Sequence, residues 1–144
     1  MSRAAQLLRA AGVRATRKRV EVLAAVLGAD RAVAPAELWE RSGLAAFMDR
    51  ATLYRTLDLL AERGLVLRTL GPDRAFRYCA GGGAPAGMAH GHFYCLCCHA
   101  MRCLPQAVLA VEQALPPGAA AGHVEIRVDG LCAACRAAGA RPEA

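Results

Sequence analysis

The chain has 144 residues, a net charge of +6 and a 56% hydrophobic composition, which excludes a mainly disordered protein and fits one domain or two very small ones. No apolar run approaches the ~20 residues of a membrane span, and the arginine-broken start lacks a signal-peptide core, so a cytoplasmic protein is expected. Residues 1–78 hold 14 Lys and Arg against 8 Asp and Glu, whereas residues 79–144 hold 4 of each, so a polyanionic partner should meet the first half.

In chain order, Leu7, Leu8 and Ala11 repeat at helical spacing until Gly12 stops a short first helix. Thr16 can cap a second helix that places Val20, Leu23, Ala24 and Leu27 on one face before Gly28. The entry to this helix carries Arg14, Arg17, Lys18 and Arg19. Positive side chains at a helix start oppose the macrodipole, an arrangement that favours a phosphate close by. Pro35 suits the first turn of a third helix, with Leu38 and Trp39 available for the core.

Asp49 is a good N-cap for a fourth helix that Gly64 ends. Leu53, Leu57 and Leu60 form its inward stripe, while Ala51, Arg55, Asp58 and Glu62 point outward and Tyr54 stands on the flank. Its positive and hydrogen-bonding groups lie in the first half and its acids in the second, as expected if the N-terminal end enters a groove. Residues 65–70 and 74–78 flank Gly71-Pro72-Asp73, which reads as a hairpin. Helices followed by a hairpin make a winged helix-turn-helix. Arg68, Arg74 and Arg77 on the wing would suit phosphate contacts.

Residues 80–89, the only low-complexity stretch, separate the basic half from a cysteine-rich half and read as a hinge. Beyond it, short strands around Phe93 to Cys95 and Met101 to Cys103 precede a helix begun by Pro105, carrying Val108, Leu109, Val111 and Leu115 and closed by Pro116. Val124, Ile126 and Val128 alternate in a strand from His123 to Val128. So small a unit cannot bury much surface alone, and zinc and dimerisation are natural additions.

Two Cys-x-x-Cys pairs, Cys95 with Cys98 and Cys132 with Cys135, point to a tetrahedral four-thiolate zinc site. Such coordination is closed, hence structural, with no position for a substrate. Cys97 is surplus, since a direct neighbour of Cys98 cannot easily face the same metal. Seven cysteines, an odd number grouped at ligand spacing, agree with a reducing compartment better than with a disulfide framework.

This order of parts resembles the ferric uptake regulator family of metal-responsive repressors, and within it the zinc uptake regulator branch most closely. The most specific pieces are Arg14-Ala-Thr-Arg-Lys-Arg-Val20, Ala51-Thr-Leu-Tyr-Arg-Thr-Leu57, His90-Gly-His92 before Cys95, and Gly130-Leu-Cys132-Ala-Ala-Cys135. The resemblance implies an α+β fold: a winged-helix DNA-binding domain over residues 1–79, a Gly-rich hinge over 80–89, and a small α/β dimerisation domain with structural zinc over 90–144. It implies a homodimer on palindromic double-stranded operator DNA, with Tyr54 and Arg55 among the contacts. Arg14, Arg17, Lys18, Arg19, Thr52 and Arg68 complete the expected DNA-facing set.

The resemblance also implies a second, exchangeable metal at the hinge. Arg77 stands where iron sensors often carry Glu, and Cys103 where zinc sensors can carry Glu, which leaves Cys79, His90, His92 and Cys103 as the ligand set. Two sulfurs and two nitrogens suit tetrahedral zinc. A weaker third site would use His99, Glu112 and His123.

The expected function is a zinc-dependent repressor, a non-enzyme without a small-molecule substrate. The competing readings are a sensor of iron, nickel or manganese, a thiol or peroxide sensor using Cys97, Cys98 or Cys103, and a zinc hydrolase or deaminase. His123-Val-Glu125 offers a His-x-Glu element, but no proline precedes either cysteine pair as a deaminase requires.

Overall fold

The computed structural model describes residues 2–80, 91–104, 111, 113–121 and 124–142. The chain divides into two compact units, Met1–Ala80 and Gly81–Ala144. No helix among the described residues is long and apolar enough to cross a membrane.

The first unit comprises helices α1 (Arg3–Ala10), α2 (Arg17–Gly28), α3 (Pro35–Arg41) and α4 (Arg50–Glu62), then a hairpin of β1 (Leu67–Leu70) and β2 (Phe76–Cys79). A single 3₁₀ turn, Leu44–Ala46, links α3 to α4. Three of the helices start on side-chain caps. Ser2 accepts from the Ala5 amide at 3.2 Å, Thr16 from Arg19 at 3.4 Å and Asp49 from Thr52 at 2.7 Å. Pro35 opens α3 instead, its missing N–H being one the helix start leaves unpaired anyway.

The inward stripe of α4, Leu53, Leu57 and Leu60, is completely buried and meets Leu8, Val22, Leu23 and Val26 in one core. On α2 the expected face is rotated. Val22, Leu23 and Val26 are buried, Val20 and Leu27 are only half-buried, and Ala24 faces solvent. The cause is double packing: α2 touches both α1 and α4, so its apolar surface is centred between two partners.

The wing is tied to the helices by a bridge between Val33 and Tyr78, whose backbones exchange hydrogen bonds of 2.9 and 2.8 Å. Its turn closes with Arg74 N donating to Gly71 O and Gly71 N to Ala75 O, each at 3.0 Å, with Arg74 in the left-handed region at φ 64°. Arg77 departs from the expectation of a phosphate contact. It is buried, and its guanidinium grips Asp73 through two bonds of 2.9 and 2.8 Å. Gly71 makes room for this pair, because a Cβ there would strike the Arg77 guanidinium and the Asp73 carboxylate.

In the second unit, β3 (Gly91–Cys95) lies between β4 (Met101–Leu104), antiparallel to it, and β5 (Ile126–Gly130), parallel to it. A short helix α5 (Ala133–Ala137) follows. The strand expected from His123 begins only at Ile126, where the ladder with Gly91 starts, and Val128 is exposed on it. His123 and most of the helix expected from Pro105 lie outside the described residues.

The Asp73–Arg77 pair makes stability depend on acidity. The Arg77 guanidinium holds the Asp73 carboxyl down to about 2 against the opposing effect of burial. A depressed carboxylate stabilises the fold fully above its unfolded value of about 4 and ceases to do so as pH falls toward 2. Asp73→Asn should therefore cost about 1–2 kcal/mol at pH 7. Its deficit should shrink between about pH 4 and pH 2. Thermal melts across that range test it; equal melting temperatures at pH 7 would rule the pair out as a support of the wing.

Candidate metal centre and nucleic-acid interface

The starts of α2 and α4 lie side by side. Neither has an acid in its first turn, and the Asp49 cap is the nearest carboxylate on α4. Thr16, Lys18 and Arg19 from α2 and its cap line a cleft of about 320 Å³ with Thr52, Arg55, Thr56 and Leu59 from α4. Four residues expected to face DNA, Lys18, Arg19, Thr52 and Arg55, thus share one opening. Arg19 also donates to the Arg14 carbonyl at 3.1 Å, which pulls the two turns of chain together.

Arg17 lies 5.0 Å over the Phe47 ring, and Tyr54 is half exposed on the same helix as Arg55. Arg68 sits on the wing 4.7 Å over Phe76 and 3.5 Å from Asp58. Arg50 was not in the expected set. It is the first residue of α4, exposed, and 5.8 Å over the Trp39 ring. Its position directly after the Asp49 cap is the sequence signal that could have found it.

In the second unit the parallel pairing of β3 with β5 sets Cys95 opposite Gly130, so Cys132 arrives beside Cys95 two residues later. Cys98 stands on the turn after β3, Cys132 caps α5, and Cys135 lies within α5. Their four sulfurs lie within 4.8 Å of one another, and the Cys98–Cys132 separation is 3.8 Å. Zinc–thiolate bonds of about 2.3 Å give a tetrahedron with an edge of about 3.8 Å, so the donor set fits that ion.

The electrostatics agree. Burial pushes the Cys95 thiol up, but backbone amides of Cys132, Cys98 and Cys97 aimed at its sulfur outweigh burial and bring it down to about 6. Cys135 is pushed upward, chiefly by Cys132 and then by burial. For Cys98, the Ala100 amide favours the thiolate, yet burial and the Cys95 and Cys132 sulfurs prevail and raise it. The Cys95 thiolate is prepared by amides while Cys98 and Cys135 resist ionisation. That opposition is relieved when a divalent cation neutralises them together. Cys97 sits half-buried on the same turn, outside the four-sulfur group.

His92 and Cys103 face each other across β3 and β4, with a ring nitrogen and the sulfur within 4.8 Å. Cys79 ends β2 in the first unit and is buried there. His90 lies outside the described residues, as do Glu112 and His123. His99, the remaining member of the weaker third set, is exposed in the turn after Cys98 at φ 63°, and its Nδ1 is 2.6 Å from the Tyr94 hydroxyl. No sequence pattern distinguished that partner.

A model of the ferric uptake regulator family matches residues 10–115. No curated protein sequence matches the chain. Among solved structures, the Vibrio cholerae ferric uptake regulator matches with a TM-score of 0.68 at 22% identity, over 89% of this chain and 98% of that one. A zinc uptake regulator complexed with zinc and DNA matches with a TM-score of 0.64 at 27% identity, over 96% and 99%. The holo form of XcZur gives 0.59 and 28%, over 93% and 99%.

The convergence of sulfurs predicts one firmly held zinc per chain. Cys95→Ser or Cys132→Ser should release it and lower the melting temperature, since metal binding at such a site adds directly to folding free energy. Elemental analysis after mild chelation, with calorimetry, is the check; a serine variant that keeps both its zinc and its melting temperature would exclude these four cysteines as the ligands.

Proposed function

The chain belongs to the ferric uptake regulator family, and from that premise we propose that it is a zinc-responsive repressor acting as a homodimer on palindromic operator DNA. Members of this family are metal-responsive transcription regulators, so no catalytic site is assigned. The observation that carries the choice of zinc is the pairing of the His92 nitrogen with the Cys103 sulfur on adjacent strands. Iron and manganese sites favour carboxylates with imidazole, whereas zinc is well suited to thiolate with imidazole. The zinc uptake regulator solved with zinc and DNA, matched over nearly the full chain, supports the same choice.

We assign the exchangeable metal to Cys79, His90, His92 and Cys103, and the structural zinc to Cys95, Cys98, Cys132 and Cys135. When bound, the exchangeable ion supplies coordinate bonds joining residues that flank the Gly-rich stretch 80–89. The entropy of closing such a loop grows only slowly with its length, so coordination free energy readily exceeds it. The DNA-facing set is Arg14, Arg17, Lys18, Arg19, Thr52, Tyr54, Arg55 and Arg68, with the first half of α4 in the major groove. Linkage is reciprocal: operator should tighten zinc by the factor by which zinc tightens operator.

Two variants separate the parts of this reading. Cys79→Ser should remain folded and keep its four-thiolate zinc, yet bind operator weakly at every zinc concentration. Normal zinc-dependent binding in a mobility-shift titration would remove Cys79 from the ligand set. Arg55→Ala should lose about 1–3 kcal/mol of operator affinity if Arg55 reads a base edge. Binding that ignores zinc but responds to peroxide would favour the thiol-sensor reading instead.

A further inference from the structure

Arg55 carries the longest side chain on the outer face of α4 set by Ala51, Arg55, Asp58 and Glu62, and its head group is tethered. Its Nη2 donates to the Thr52 hydroxyl at 3.3 Å, one helical turn toward the N-terminus. Thr52 is itself fixed from both ends of its backbone. Its amide donates to the Asp49 carboxylate at 2.7 Å, and its carbonyl accepts from the Thr56 hydroxyl at 2.7 Å. A β-branched threonine in a helix has two preferred χ1 wells, and in the one it occupies its oxygen lies within reach of the Arg55 head group. A hydroxyl can accept from Arg55 and still offer its proton, and the Thr52 hydroxyl and amide together keep the Asp49 carboxyl below its usual range.

We propose that Thr52 is a specificity-determining positioning residue: its hydroxyl fixes the Arg55 guanidinium toward the N-terminal end of α4, so that Arg55 meets a base edge in one orientation. The chemistry points to guanine. A guanidinium has five N–H donors in a rigid fork, and one bond to Thr52 leaves a pair of donors for the O6 and N7 acceptors of a guanine edge. Without the tether Arg55 would still attract phosphates, but it would choose less well among bases. This inference rests on the reading that α4 enters the major groove, and its test has a separate arm for that reading.

The experiment uses the full-length, zinc-loaded protein and the duplex that wild type selects from a random pool, with every single base-pair variant of that duplex. Arg55→Ala should flatten the preference at one position of each half-site. Thr52→Val should reduce the preference at that same position by about threefold to tenfold, the worth of one hydrogen bond in orientation, and leave the other positions unchanged. Thr52→Ala, which favours the helix, should behave as Thr52→Val does, and Thr52→Ser should restore the preference. In the Arg55→Ala background, Thr52→Val should cost nothing more at that position. Equal weakening on every duplex would overturn the proposal and make Thr52 a plain backbone contact. A loss that persists without Arg55 would overturn it as well. If Arg55→Ala left all base preferences intact, the placement of α4 in the groove would fall, and the role of Thr52 with it.

Discussion

Like charges held close together attract an opposite charge that completes them, and both units of this protein contain such a place. In the second unit four sulfurs converge within 4.8 Å, one of them already favoured as a thiolate. In the first, Arg17, Lys18 and Arg19 crowd the positive end of α2, and Arg50 that of α4. The two places differ in what completes them. The sulfurs lie as close together as a closed polyhedron around one ion requires, an arrangement that suits a metal held as part of the fold. The cationic helix starts line an open cleft, an arrangement that suits a polyanion able to come and go.

Sequence reasoning succeeded where the determinants are local. The limits of α4 follow from Asp49 and Gly64, and its inward stripe from three leucines at spacing four and three. The cysteine pairs are equally local, since two residues between sulfurs already place both on one turn. It failed where a partner lies far along the chain. The face of α2 is set by α1 and α4 together, and nothing within residues 17–28 reveals that Val22 rather than Val20 lies at the centre. The wing shows the same limit at shorter range. Arg77 reads as an exposed cation until the turn at Gly71 brings Asp73 onto it, and the need for glycine there is one of space, not of backbone angle.

The expected ligand sets divide in the same way. The four-sulfur group needed only spacing and a returning strand, and β5 supplies the return by pairing parallel to β3. His92 and Cys103 are brought together by an antiparallel register that alternation alone could not specify, because a shift of one residue would turn Cys103 to the other face. His99 has a partner within five residues of itself: its Nδ1 lies 2.6 Å from the Tyr94 hydroxyl.

The arginine-rich face carries an electrostatic cost. A cation in the first turn of a helix loses about 0.3–1 kcal/mol to the macrodipole. Arg17 and Arg50 each lie over an aromatic ring, Phe47 and Trp39, and an exposed cation–π contact returns about 0.5–1 kcal/mol. The two effects are of equal size, so these arginines are close to neutral for folding. The rings also restrict the side chains before any partner arrives, which lowers the entropy lost on binding. Aromatic residues placed beside the helix starts therefore let the protein keep a cationic face at little cost to stability, and the free energy of that face is released only when a polyanion meets it.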